Sequence, residues 1–124
     1  MFLFLRAFWQ LIRFDYYLSR GNFAVLYKKV RDYPLKKKVV VTPEVIDRAC
    51  RAIDWACVWY PKQVMCLQRS SATTCLLRAY GARTEMVIGV QRLPFKAHAW
   101  VEVDGRVVSD TSYTPEMYAV LDRC

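Results

Sequence analysis

The chain has 124 residues, enough for one domain with a true core and too few for two of ordinary size. Hydrophobic residues make up 55% and charged ones 24%, a balance that excludes disorder and low-complexity behaviour. The net charge of +8 is lopsided: residues 1–42 carry nine Lys/Arg against two Asp, and the remainder carries ten against nine acids.

A basic third of this kind suits an acidic peptide or protein, an anionic membrane surface or nucleic acid, or serves only as a solvated face. No recognised nucleic-acid motif accompanies it, so no nucleic-acid partner is expected. No run free of charge exceeds eight residues (Ser70–Leu77), which leaves nothing able to span a bilayer. Met1–Ile12 is apolar, but Arg6 interrupts it and no small-residue cleavage site follows, so it does not read as a signal peptide. Five cysteines stand at Cys50, Cys57, Cys66, Cys75 and Cys124, an odd number with no Cys-x-x-Cys pair. Neither a disulfide framework nor a zinc site is expected, and the location expected is reducing and cytoplasmic.

In chain order, Met1 to about Leu18 reads as a helix. Phe2, Leu5, Trp9, Ile12 and Tyr16 recur at three- and four-residue steps, opposite Arg6, Gln10, Arg13, Tyr17 and Arg20. That wide apolar side packs on the core, meets a partner or lies in a membrane interface, with core or partner packing preferred. Gly21-Asn22 ends it, and a short second helix is expected over Phe23–Arg31. Pro34 and Pro43 bracket Lys36, Lys37 and Lys38, marking a boundary between a basic helical arm (1–42) and a core (43–124). Thr42-Pro43-Glu44 supplies an N-cap, a first-turn proline and an early acid, and Pro61 stops the helix that follows.

The helix expected over Met65–Tyr80 is small and apolar all round, which implies packing on most sides, with Gly81 as a left-handed cap. From Glu85 the period changes to two. Met86–Val90, Ala97–Val103 and Arg106–Asp110 read as strands, the last two joined at Asp104-Gly105. Thr114-Pro115-Glu116 opens a short closing helix within Ser112–Cys124. Helices followed by antiparallel strands predict an α+β fold.

Cys66 opens a buried helix, and His98 is the single histidine in the chain. A helix start offers positive potential and free backbone N–H groups, which favour a thiolate and can hold a developing oxyanion. A base on one strand and a carboxylate, Asp110, on the next would complete an activated nucleophile suited to acyl transfer through a thioester. The hairpin register decides their alignment. A three-residue loop with a glycine bulge pairs His98 with Asp110, Trp100 with Val108 and Glu102 with Arg106, and this register is expected over the two-residue turn. The Cys66 N–H is one oxyanion donor and Gln63 a candidate second, equally readable as a solvated loop residue. Trp55, Trp59, Tyr60 and Trp100 are candidates for a substrate groove, against the commoner reading of aromatics as core.

Three stretches, Cys66-Leu67-Gln68-Arg69-Ser70, Met86–Val90 and Pro94–Asp110, closely resemble the lasso-peptide leader peptidases, transglutaminase-like cysteine proteases. The resemblance covers roughly residues 43–115, and His98-Ala99-Trp100-Val101-Glu102 with the downstream Asp110 is its most specific part. It implies a papain-like core in which a nucleophile helix packs on an antiparallel sheet. It also implies Cys66 as nucleophile, His98 as general base and then acid, and Asp110 as the orienting carboxylate. The implied activity is removal of the leader from a lasso-peptide precursor, with no cofactor or metal. A separate leader-recognition protein and an ATP-dependent, asparagine-synthetase-like lasso cyclase are the implied partners. The basic arm, through Lys36, Lys37 and Lys38, would dock the recognition protein or an acidic precursor. Two other readings stand beside this one: acyl transfer to an amine, and a non-catalytic basic module that binds a membrane or protein.

Overall fold

The computed structural model describes residues 2–21, 23–35, 41–91, 96–108 and 118–124. Four helices precede a four-stranded sheet: α1 (Phe2–Ser19), α2 (Phe23–Arg31), α3 (Pro43–Trp59), α4 (Cys66–Ala79), β1 (Thr84–Gln91), β2 (Lys96–Val103), β3 (Arg106–Val107) and β4 (Ala119–Arg123). The sheet order is β3-β2-β1-β4, with every pair antiparallel, so the expected α+β class holds. Among the described residues no helix is long and apolar enough to cross a membrane.

Local chemistry sets the helix ends where the sequence places them. The Thr42 hydroxyl accepts from the Val45 N–H at 3.3 Å, with Pro43 and Glu44 in the first turn of α3. At the far end of α4, Gly81 takes φ +95°, and the N–H groups of Gly81 and Ala82 return to the carbonyls of Arg78 and Leu77 at 3.0 Å each. These two hydrogen bonds close the helix and turn the chain into β1.

The core lies around α4, which is buried at every residue from Ser70 to Leu77. Its small side chains let α1 and α3 approach on one side and β1 and β2 on the other. Ala7, Leu11 and Phe14 of α1 and Leu26 and Val30 of α2 belong to the same cluster as Leu76, Leu77, Met86 and Val101. The basic N-terminal segment is thus packed into the core. Two buried polar side chains fasten the layers. The Gln68 amide donates to the Leu11 carbonyl at 2.8 Å, and Arg78 donates to the carbonyls of Val30 and Thr84. The Arg78 charge also answers the negative end of α2.

Three expectations need correction. The stripe Phe2, Leu5, Trp9, Ile12 and Tyr16 does not pack on the core, one of the two placements preferred for it; each is more than 40% exposed, which leaves open the partner surface. Ala7 and Leu11, with Gln10 and Phe14, turn inward, because apolar residues lie on both sides of the helix and the tertiary fit chooses between them. The expected closing helix is instead β4 in its described part. It pairs with β1, and Met86 and Cys124 exchange N–H···O bonds of 2.8 and 2.9 Å. The strand covers an edge of β1 that would otherwise present unpaired backbone groups.

The third correction concerns the hairpin. Glu102 pairs with Val107 and Val103 with Arg106, and the Val108 N–H donates to the Val101 carbonyl at 3.1 Å. The loop is the two-residue turn, one residue off the bulged register. Asp104 and Gly105 both take positive φ, +50° and +81°, the combination a tight turn needs to match strand twist. Trp100–Val108 and Glu102–Arg106 are therefore not pairs, and the ion-pair partner of Glu102 is Arg123. The expected His98–Asp110 pair lies outside the described residues.

Candidate active site

Cys66 is the first residue of α4 and is exposed. Met65 before it is extended and gives no side-chain cap, and the first turn carries no acid. The opening N–H groups of the helix thus remain without a capping side chain at the sulfur. The other cysteines differ from it. Burial pushes the Cys75 thiol up to about 12 and the Cys50 thiol up to about 11, and raises Cys57 and Cys124 as well. Those four are shielded by burial, so exposed Cys66 is the candidate for nucleophilic chemistry.

One turn further along α4, the Ser70 hydroxyl donates to the Ala99 carbonyl at 2.9 Å. At the opposite end Arg78 reaches the Thr84 carbonyl, and Thr84 pairs with Val103. Helix and β2 therefore run side by side in the same direction, with Cys66 one turn before the Ser70–Ala99 contact. Along β2 the side chains alternate. Val101 and Val103 join the core under α4, and His98, Trp100 and Glu102 share the other face.

On that second face the His98 ring lies 6.0 Å from the Trp100 ring at 28° and 5.5 Å from Tyr118. Trp100 is fully buried, and its indole N–H donates to Glu102 Oε2 at 2.9 Å. Glu102 is itself only 5% exposed, and its other oxygen accepts from the Arg123 guanidinium of β4 at 2.8 Å. The hydrogen bond to Glu102 holds the Arg123 charge in place.

The expected groove residues separate. Trp59 is 69% exposed, and Trp55, Val58 and Met65 are also open to solvent. Tyr60 instead packs on Phe8 and donates its hydroxyl to Asp15 at 2.6 Å, while fully buried Trp100 cannot line a groove in this state. Gln63 is exposed in the segment between α3 and α4. Asp110, Lys36, Lys37 and Lys38 lie outside the described residues. The sequence reading missed Glu102 and Arg123 as a buried pair. The alternation at His98, Trp100 and Glu102 is the signal that could have put Glu102 beside the indole.

The comparisons with known proteins fall on this arrangement. A family model described as "Transglutaminase-like superfamily" matches residues 9–123. Over 56 residues the chain is 36% identical to the Microcin J25-processing protein McjB of Escherichia coli, covering 45% of this chain and 27% of that protein. The chain thus matches about a quarter of that relative's length. No solved structure matches it. Both matches agree with the resemblance drawn from the sequence, and the family match takes in α4 with Cys66 and β2 with His98. The chain belongs to the transglutaminase-like superfamily.

Proposed function

We propose that this chain is a cysteine endopeptidase that removes the leader from a lasso-peptide precursor in the cytoplasm. The Cys66 sulfur attacks the carbonyl carbon of the scissile peptide bond as its proton passes to His98. The tetrahedral oxyanion is held by the Cys66 N–H and the neighbouring N–H groups of α4, with Gln63 the candidate side-chain donor. Collapse breaks the C–N bond, His98 returns the proton to the departing amine, and a thioester remains. Water, deprotonated by His98, then hydrolyses it. Asp110 would orient the imidazole, a role that rests on the resemblance alone.

The observation that carries the reading is an exposed cysteine at the uncapped start of a buried helix, tied one turn later to the residue after the lone histidine. The relative named for processing a microcin supports a precursor peptide as substrate. Mass spectrometry of a candidate precursor, incubated with this chain and its presumed delivery protein, tests it. One cut is expected, lost in Cys66→Ala; undiminished turnover by that variant would remove the claim.

The outward stripe of Phe2, Leu5, Trp9, Ile12 and Tyr16 supports docking of a separate leader-recognition protein on α1, with Lys36, Lys37 and Lys38 adding a salt-sensitive attraction. A lasso cyclase would act after the cut. The family description favours one other outcome, acyl transfer to an amine. Products formed with and without added amine separate the two.

A further inference from the structure

We propose that Trp100, with Glu102 and Arg123 behind it and Gly89 beneath it, is a positioning unit that fixes the His98 imidazole. The proposal rests on the reading of His98 as the proton carrier.

Gly89 stands directly across from His98 on β1. A Cβ there would meet Trp100 Cη2 at 2.7 Å and Cζ3 at 2.8 Å, and Tyr118 Cβ at 3.0 Å. The six-membered ring of Trp100 thus lies over the backbone of Gly89, in space that any side chain would take. Gly89 is used here for close approach rather than for its backbone freedom. From that position the indole presents a face to the imidazole.

A ring in that slot needs its far end tied down. The indole N–H gives a buried donor that must be satisfied, and Glu102 Oε2 satisfies it. The carboxylate would be costly to bury alone, and Arg123 compensates it from β4. β4 reaches this place because Arg123 pairs with Val87, which in turn pairs with Trp100. Arg123, Glu102, Trp100 and His98 thus form one chain of contacts across three strands. A base must point its accepting nitrogen within a narrow angle of the thiol, and an imidazole set between the offset Trp100 ring at 6.0 Å and Tyr118 at 5.5 Å is limited in how it can swing.

His98 is the one histidine in the chain, so tag-free protein gives one unambiguous set of imidazole proton signals in NMR. These signals carry the ring-current shift of Trp100 and need no substrate. In Glu102→Ala the imidazole signals move toward those of an unstacked histidine, and Cys66 alkylation by iodoacetamide near neutral pH slows several-fold. Glu102→Gln keeps an acceptor for the indole and restores the imidazole signals. Glu102→Leu fills the place without offering an acceptor, keeps the Trp100 ring and gives the same displacement as Glu102→Ala; it decides the matter should the alanine variant not fold. Imidazole signals unmoved in a folded Glu102→Ala, or in Glu102→Leu, would overturn the proposal. Displaced signals with unchanged Cys66 alkylation would uphold the brace and instead count against His98 as partner of the thiol.

Discussion

The Ser70 hydroxyl holds the Ala99 carbonyl at 2.9 Å, one turn from Cys66 and one residue from His98. This bond sets the height of α4 against β2, and so of the proposed nucleophile against the proposed base. Ser70→Ala removes one buried hydrogen bond and should cost about 1 kcal/mol in urea unfolding. Ser70→Leu forces bulk into a closed interface and should cost about 1–3 kcal/mol. The leucine variant should also lose cleavage out of proportion to its stability, because it moves the helix that carries the sulfur. Equal losses of activity in the two variants would show that the helix height is not what matters.

Cysteine chemistry offers a second check. In the native protein near neutral pH, iodoacetamide should modify Cys66 first, with Cys75 and Cys50 protected by burial that holds them as thiols to about 12 and about 11. In denaturant all five should react. Peptide mapping reads the order, and early labelling of Cys75 would contradict the packing described for α4.

The link between α1 and the end of α3 has a pH signature. Tyr60 donates to Asp15, which also pairs with Lys62 at 2.9 Å. Burial and that bond push the Tyr60 phenol from its ordinary 10.0 up to about 12, and the same bond lowers the Asp15 carboxyl below its ordinary 3.8. A raised phenol contributes stability that is fully present below pH 10 and lost as pH climbs toward 12. The lowered carboxylate contributes stability present above its ordinary range and lost as pH falls through its depressed value. Tyr60→Phe should therefore cost about 1 kcal/mol at neutral pH, with the difference from the unmodified chain shrinking at both extremes. Chemical denaturation at a series of pH values measures it; a difference independent of pH would break the assignment.

Much of the fold was legible where a residue acts on its immediate neighbours. Thr42 and Pro43 start a helix by local bonds, and Gly81 stops one because the turn there needs positive φ. Legibility failed where a choice depends on distant partners. α1 carries apolar residues on more than one side, so only the fit against α3 and α4 decides that Leu11 points in and Trp9 out. Asp104-Gly105 suits either hairpin loop, and the shorter one prevailed. β4 becomes a strand because β1 needs an edge partner, information that residues 119–123 do not carry alone. At the site, Cys66 and His98 stand out as a helix-start cysteine and a lone histidine. The Glu102–Arg123 pair, 21 residues apart, forms only through the sheet order and so was not visible in advance.

The most direct measurement is the intact mass of the protein quenched with acid during incubation with a candidate precursor, followed by mapping of the modified peptide. An adduct equal to the acyl portion of the leader, joined through a thioester to Cys66 and absent from Cys66→Ala, is the expected result. Continued cleavage by Cys66→Ala, or an adduct that maps to any other residue, would contradict the account.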